Sequence, residues 1–234
     1  MRIWMWIFVG LVLVAGAVTA RAEKPRVNRV LTAEEQAALT PDEVLRILSD
    51  GNERFVAGTI TSRDHSAQVR DAAGGQFPKA VILSCLDSRV PVEDVFDRGI
   101  GDIFVARVAG NFENTDILGS MEFATKVAGA KLVLVLGHKD CGAVRATIDG
   151  AELGNITEML TNIRPAVEAN ADYDGDRSSK NPDFVHAVTK SNVELTIDDI
   201  RERSPTLKTM EADGQIKIVG ALYDMKTGSV EILD

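Results

Sequence analysis

Two cysteines and three histidines bound the nucleophilic, redox and metal chemistry open to this 234-residue chain. The cysteines stand in Ser84-Cys85-Leu86-Asp87-Ser88-Arg89 and in His138-Lys139-Asp140-Cys141-Gly142. Two thiols and an imidazole form a Cys₂His set of the kind that holds a catalytic zinc ion, with a fourth tetrahedral position left for water or for Asp87. The His-x-x-Cys spacing lets two ligands share one turn, and a thiolate at the start of a helix continuing through Gly142 is favoured by the helix dipole. A Cys85–Cys141 disulfide is the competing reading for an exported protein. A dithiol oxidoreductase fits poorly, because the thiols are far apart rather than in Cys-x-x-Cys. Two thiolates already neutralise Zn²⁺, so a carboxylate ligand would make the site anionic and fill the position a reactive water needs. Arg89, two residues along, is placed to hold Asp87 off the metal through a bidentate, charge-assisted pair. An ordinary surface ion pair is the plainer alternative.

Such a set needs strands that end side by side. Residues 80–83, 103–106 and 132–136 are short apolar runs of the kind that parallel sheets bury on both faces. Ligands gather at the carboxyl ends of such strands, and the two cysteine segments follow the first and third runs. Thr40-Pro41-Asp42-Glu43 is a capping box with Pro at the first helical position, opening an amphipathic helix with Val44, Ile47 and Leu48 towards Phe55. Residues 72–76 form a polar, Gly-rich connection. Ile117, Leu118, Met121, Ala124 and Val127 recur at helical spacing across residues 115–127, and Gly129 ends that helix. Residues 171–184 read as a solvated loop, and a helix is predicted over 188–203, stopped by Pro205. Residues 216–222 and 229–233 close the chain as two strands joined by a Lys226-Thr227-Gly228 turn. Strands separated by helices predict a three-layer α/β fold with a mainly parallel central sheet flanked by helices and one antiparallel edge strand near the C-terminus.

The 45% hydrophobic and 26% charged residues are those of a folded protein. Residues 1–22 read as a signal peptide: Arg2 precedes an uncharged run of 18 residues from Ile3 to Ala20, ending in Val18-Thr19-Ala20 or Ala20-Arg21-Ala22. An uncleaved anchor is the alternative, since such a run reaches the lower edge of bilayer-spanning length. Either way residues 23–234 form a single domain outside the cytoplasm, periplasmic or secreted, with no membrane contact after cleavage. The formal net charge is −9 and becomes more negative without Arg2 and Arg21, which argues against nucleic acid or anionic lipid as a partner.

Cys85-x-Asp87-x-Arg89 followed by His138-x-x-Cys141-Gly142 resembles the β-class carbonic anhydrases. The resemblance extends through residues 101–111, through Gly51-Asn52-x-Arg54-Phe55, and through residues 219–224, and so covers about residues 40–233. It implies Zn²⁺ on Cys85, His138 and Cys141, and reversible hydration of CO₂ to bicarbonate and a proton by a zinc-bound hydroxide in an apolar pocket. It implies an Asp87–Arg89 dyad that gates the fourth position, with Asp87 as fourth ligand in a closed state. It also implies a plant-like pocket built from Gln76, Val90, Phe104, Phe123 and Gly142, with aromatics supplied by a partner subunit in a dimer or tetramer. Phe123 stands where many members have Tyr, so one hydroxyl is missing. Another branch carries Trp at the position of Ile82, forming an inhibitory bicarbonate site with an Arg and a Tyr. Here Arg107 and Tyr223 remain without that Trp, and bicarbonate inhibition is expected to be weak or absent. Relatives with the same zinc set hydrolyse carbonyl sulfide or carbon disulfide, an alternative activity; a non-catalytic zinc-binding protein is the alternative of another class. His65 and His186 read as solvent-exposed and structurally neutral.

The export reading generates a first prediction. Mass spectrometry of protein from its native host is expected to give an amino terminus close to Glu23, and a full-length cytoplasmic product would overturn it.

Overall fold

The computed structural model describes residue 27 and residues 29–233; the expected signal segment, residues 1–22, lies outside them. Strands β1 (Ala80–Ser84), β2 (Ile103–Arg107), β3 (Leu132–His138), β4 (Lys217–Tyr223) and β5 (Val230–Leu233) form one sheet in the order β2-β1-β3-β4-β5. The first four are mutually parallel and β5 is antiparallel to β4, as the spacing of the apolar runs predicts. Every residue of β1 and β3 is buried, which is why both read as unbroken apolar runs without alternation.

Ten helices pack around the sheet among the described residues. α1 (Ala33–Ala37) and α2 (Pro41–Val56) precede α3 (His65–Ala72), and α4 (Val92–Val95) lies between β1 and β2. α5 (Thr115–Glu122) joins β2 to β3. α6 (Gly142–Ile148), α7 (Gly154–Thr161), α8 (Arg164–Glu168), α9 (Pro182–Arg203) and α10 (Pro205–Ala212) lie between β3 and β4. Alternate side chains of the strands serve opposite faces. Val81, Leu83, Val133 and Val135 meet Leu118, Met121, Val193, Ile200 and Leu207 on one face. Ala80, Ile82, Leu132 and Leu134 meet Val44, Leu48, Val92 and Phe96 on the other. Gly137 allows α9 to lie close to β3, since a Cβ there would come within 2.6 Å of Val193 Cγ2.

Several helical boundaries differ from expectation. The helix from Thr115 ends at Glu122 and widens into a π-helical turn over Phe123–Val127, with Gly129 at φ +80° beyond it. The polar stretch at 171–184 is not loop to its end, because Asn181 caps α9 and Pro182 occupies its first turn, burying Phe184 and Val185. Pro205 opens α10 under a Ser204 cap as well as ending α9, which follows from the tolerance of proline at a first helical position. Among the described residues no helix is long and apolar enough to cross a membrane.

The buried carboxylate of Asp97 ties the amino-terminal elements to the sheet. It accepts hydrogen bonds from Arg54 Nε at 2.6 Å, Arg63 Nη1 at 2.6 Å, Thr61 Oγ1 at 2.7 Å and the Thr61 amide at 3.0 Å. Burial pushes its pKa up, but the donors together outweigh burial and hold it at about 2. The group is therefore an acid-sensitive stabiliser. Its contribution is complete above the ordinary carboxylate pKa of 3.8 and is lost as pH falls towards 2. Asp97→Asn keeps the shape and tolerates the positive φ, yet strands two guanidinium groups. We expect it to lower unfolding free energy by about 3 kcal/mol in denaturant titration at pH 7, with a smaller penalty near pH 2. A variant as stable as the wild type at pH 7 would show that this carboxylate is dispensable.

Candidate metal centre

The β1/β3 register sets the site. Ser84 pairs with Leu136, so the next residue, Cys85, emerges beside Gly137 and His138 at the carboxyl edge. Cys141 follows one tight turn later, in which Asp140 adopts φ +57°, and becomes the N-cap of α6. Both thiols belong to a third apolar cluster with Phe112, Val144, Ile163, Phe184 and Val188. Cys85 is 4% exposed, and His138 and Cys141 are fully buried.

The sulfurs are free thiols 3.9 Å apart, not a disulfide. Ligands about 2.3 Å from a common tetrahedral zinc lie roughly 3.8 Å from each other, so this separation suits two thiolates sharing one metal. The ligand atoms of Cys85, His138 and Cys141 all lie within 4.8 Å of one another. His138 Nδ1 lies 2.9 Å from the Lys139 carbonyl, which fixes that nitrogen as the donor. Nε2 is buried and has no hydrogen-bond partner. A buried nitrogen left without a partner beside two sulfurs is costly unless a cation engages it, so the donor set fits zinc.

The sulfur electrostatics agree. Hydrogen bonding with Cys141, helped by the Gly110 and Asp87 amides, outweighs burial and holds the Cys85 thiol well below its ordinary pKa. The same hydrogen bond, followed by burial, pushes Cys141 up. The Gly110 amide donates to Cys85 Sγ at 3.3 Å. Gly110 has φ +88°, and a Cβ there would come within 2.3 Å of Ile163 Cδ1, so glycine is required for this approach.

Asp87 Oδ2 stands 3.9 Å from His138 Nε2. Both carboxylate oxygens are held by Arg89, Nε to Oδ1 at 2.9 Å and Nη2 to Oδ2 at 2.7 Å, and the Arg89 amide adds a bond to Oδ1 at 2.9 Å. The guanidinium is the main reason the Asp87 pKa falls to about 2, against a smaller effect of burial. Of the pocket residues expected from sequence, Gly142 adjoins Cys141, and Val90, 1% exposed, ends the same loop as Asp87. Gln76 is exposed at the opposite end of β1. Phe104 sits level with Val81, four residues before Cys85, and packs edge-to-face on Phe123 with ring centroids 6.3 Å apart. These aromatics line a separate cleft of about 600 Å³ with Thr115 and Ser120. A single chain thus does not bring Gln76, Phe104 and Phe123 to the metal ligands. Of the other histidines, His65 is exposed as expected, whereas His186 is half-buried on α9.

Sequence reasoning missed the supports. Arg145 holds Asp140 at 2.6 Å, and Lys139 pairs with Asp224 at 2.7 Å, bracing the His138–Cys141 turn from both sides. Asn192 on α9 donates to the Gly110 carbonyl at 2.8 Å. Lys139 and Asp140 stand inside the motif and were visible as polar turn residues; no local signal ties Asn192 to Gly110.

Comparison with known proteins places these features in a family. The carbonic anhydrase family model matches residues 80–230, which contain all three ligands and both dyad residues. Carbonic anhydrase 2 of Mycobacterium tuberculosis is 36% identical over 203 residues, 83% of this chain and 93% of that protein. A carbonic anhydrase of Pseudomonas aeruginosa is 29% identical, over 81% of this chain and 88% of its own length. Among solved structures, a tetrameric β-carbonic anhydrase of Sordaria macrospora superposes with TM-score 0.63 at 26% identity, covering 70% of this chain and 85% of that one. A β-carbonic anhydrase of Aspergillus fumigatus gives 0.64 at 27% identity, with 73% and 82% covered. With the family model, the curated relatives and the solved structures all in agreement, the chain belongs to the carbonic anhydrase family, in its β class.

Proposed function

We propose that the chain catalyses the reversible hydration of CO₂ to bicarbonate and a proton on a zinc ion held by Cys85, His138 and Cys141. The observation that carries this reading is the buried, partnerless His138 Nε2 between two free thiols, beside a carboxylate that Arg89 already restrains. When bound, zinc supplies a Lewis acid that makes water acidic near neutral pH, so that a hydroxide nucleophile is available. The chain's own residues do the rest. Asp87, ionised by its pairing with Arg89, would accept a hydrogen bond from the nucleophile and so orient it towards the substrate. Arg89 holds both carboxylate oxygens, which keeps Asp87 from taking the fourth position itself. Val90 supplies apolar wall for an uncharged substrate.

The remaining wall comes, in this reading, from a second copy. Gln76, Phe104 and Phe123 lie away from the ligands of their own chain, and Phe123 is 48% exposed. The related Sordaria macrospora enzymes are tetramers, which supports self-association as a dimer or tetramer with the active site at the subunit boundary. We also infer export to the periplasm or beyond from residues 1–22.

Stopped-flow CO₂ hydration on the mature protein is expected to show activity that disappears on zinc removal and returns with zinc. Inactivity of the zinc-loaded protein would overturn the assignment, and a parallel carbonyl sulfide assay would reveal the alternative substrate. Cys141→Ser is expected to lose most of its zinc in elemental analysis; full retention would remove Cys141 from the ligand set. Arg89→Ala is expected to keep zinc but lose about 10- to 100-fold in hydration rate, because Asp87 is then free to enter the open position. Near wild-type turnover would leave Arg89 as a surface ion pair only.

A further inference from the structure

Arg107 ends β2, with its Cα opposite Ser84 of β1. Its Nη1 donates to the Cys85 carbonyl at 3.0 Å and its Nη2 to the Val90 carbonyl at 2.6 Å. Those two carbonyls are the two ends of the loop that carries the first metal ligand, Asp87 and Arg89. Within the loop, backbone closure is one bond, Val90 amide to the Asp87 carbonyl at 3.2 Å. The Arg89 side chain is 58% exposed, so packing does not anchor the dyad's cation. Among the described residues no carboxylate pairs with Arg107; its charge is spent on two carbonyls. A half-buried guanidinium without a counter-ion is costly, and charge-assisted bonds to both acceptors offset that cost only because the planar fork reaches both at once.

We infer that Arg107 is a positioning residue: it clamps both ends of the 85–90 loop and thereby fixes the stand-off between Asp87 and the fourth metal position. The inference rests on the proposed zinc function, although the clamp itself is a property of the loop. Lysine keeps the charge but offers a point donor that satisfies one carbonyl, so Arg107→Lys separates clamping from charge.

The test uses full-length mature protein, zinc-loaded and cobalt-substituted, as wild type, Arg107→Lys and Arg107→Met. Both variants are expected to bind one metal per chain. Amide hydrogen exchange over residues 86–90 is expected to accelerate about tenfold or more, the visible absorption of the cobalt protein to shift, and kcat for CO₂ hydration to fall about tenfold or more, with lysine failing to rescue. Should Arg107→Met not fold, Arg107→Lys alone decides the matter. Wild-type exchange, spectrum and turnover in Arg107→Lys would overturn the clamp and leave Arg107 as a charge or packing residue. An inactive wild type would sink the catalytic assignment, while exchange and spectrum would still report on the clamp.

Discussion

Pairing of Ser84 with Leu136 is the contact on which the rest of the molecule's chemistry depends. Side chains alternate along a strand, so a slip of one residue between β1 and β3 would turn one ligand to the opposite face of the sheet. The register is held by burial. Val81, Leu83, Val133 and Val135 must face α5 and α9, while Ile82, Leu132 and Leu134 must face α2 and α4. The same alternation that satisfies two apolar cores delivers Cys85 and His138 to one point at the carboxyl edge. Position in the fold, rather than any local preference of the ligands, makes the site.

That point is also where the electrostatic demand is greatest. A dry cluster around Phe112, Ile163 and Phe184 strengthens each polar interaction and penalises each missing one. The chain meets the demand with supports of fixed geometry: the Lys139 carbonyl on His138 Nδ1, the Gly110 amide on Cys85, and Arg89 on both oxygens of Asp87. Among the buried polar atoms left without a partner is His138 Nε2, which stands within 4.8 Å of both sulfurs. Arg89 holds both oxygens of the one carboxylate that stands beside this ligand set, 3.9 Å from His138 Nε2.

Much of this was legible in the sequence for a physical reason. Continuous apolar runs at 80–83, 103–106 and 132–136 have few interpretations other than buried parallel strands, and polar residues at their ends mark where chemistry gathers. Thr40 and Glu43 announce α2 because a capping box is a local interaction, complete within four residues. The failures have the opposite character. Phe184 lies in a stretch so polar that its burial against Tyr173 and Val188 depends on elements distant in sequence. α3, α4, α7 and α8 are short and marginal in isolation, and α4, α7 and α8 pack chiefly on other helices, α4 on α2 and α7 and α8 on α6, α9 and each other. Asp97 with Arg54 and Arg63, Asn192 with Gly110, and Arg107 with Cys85 and Val90 are long-range pairings between residues that nothing local distinguishes from surface polar groups.

The residues that remain exposed complete the argument. Strand β2 is an edge, and beside it Phe104 and Phe123 form an open aromatic cleft; Leu86, next to the first ligand, is 65% exposed. Apolar surface at a sheet edge invites association and is normally covered. If the proposed assembly covers it, the hydrophobic free energy that joins two copies also excludes water from the substrate's side of each metal, so the drive to associate and the dryness that CO₂ chemistry requires arise from the same side chains. The division of labour then follows the sheet: the interior strands β1 and β3, whose register burial fixes, carry the Cys₂His set at their ends, and the edge strand β2 carries the aromatic cleft.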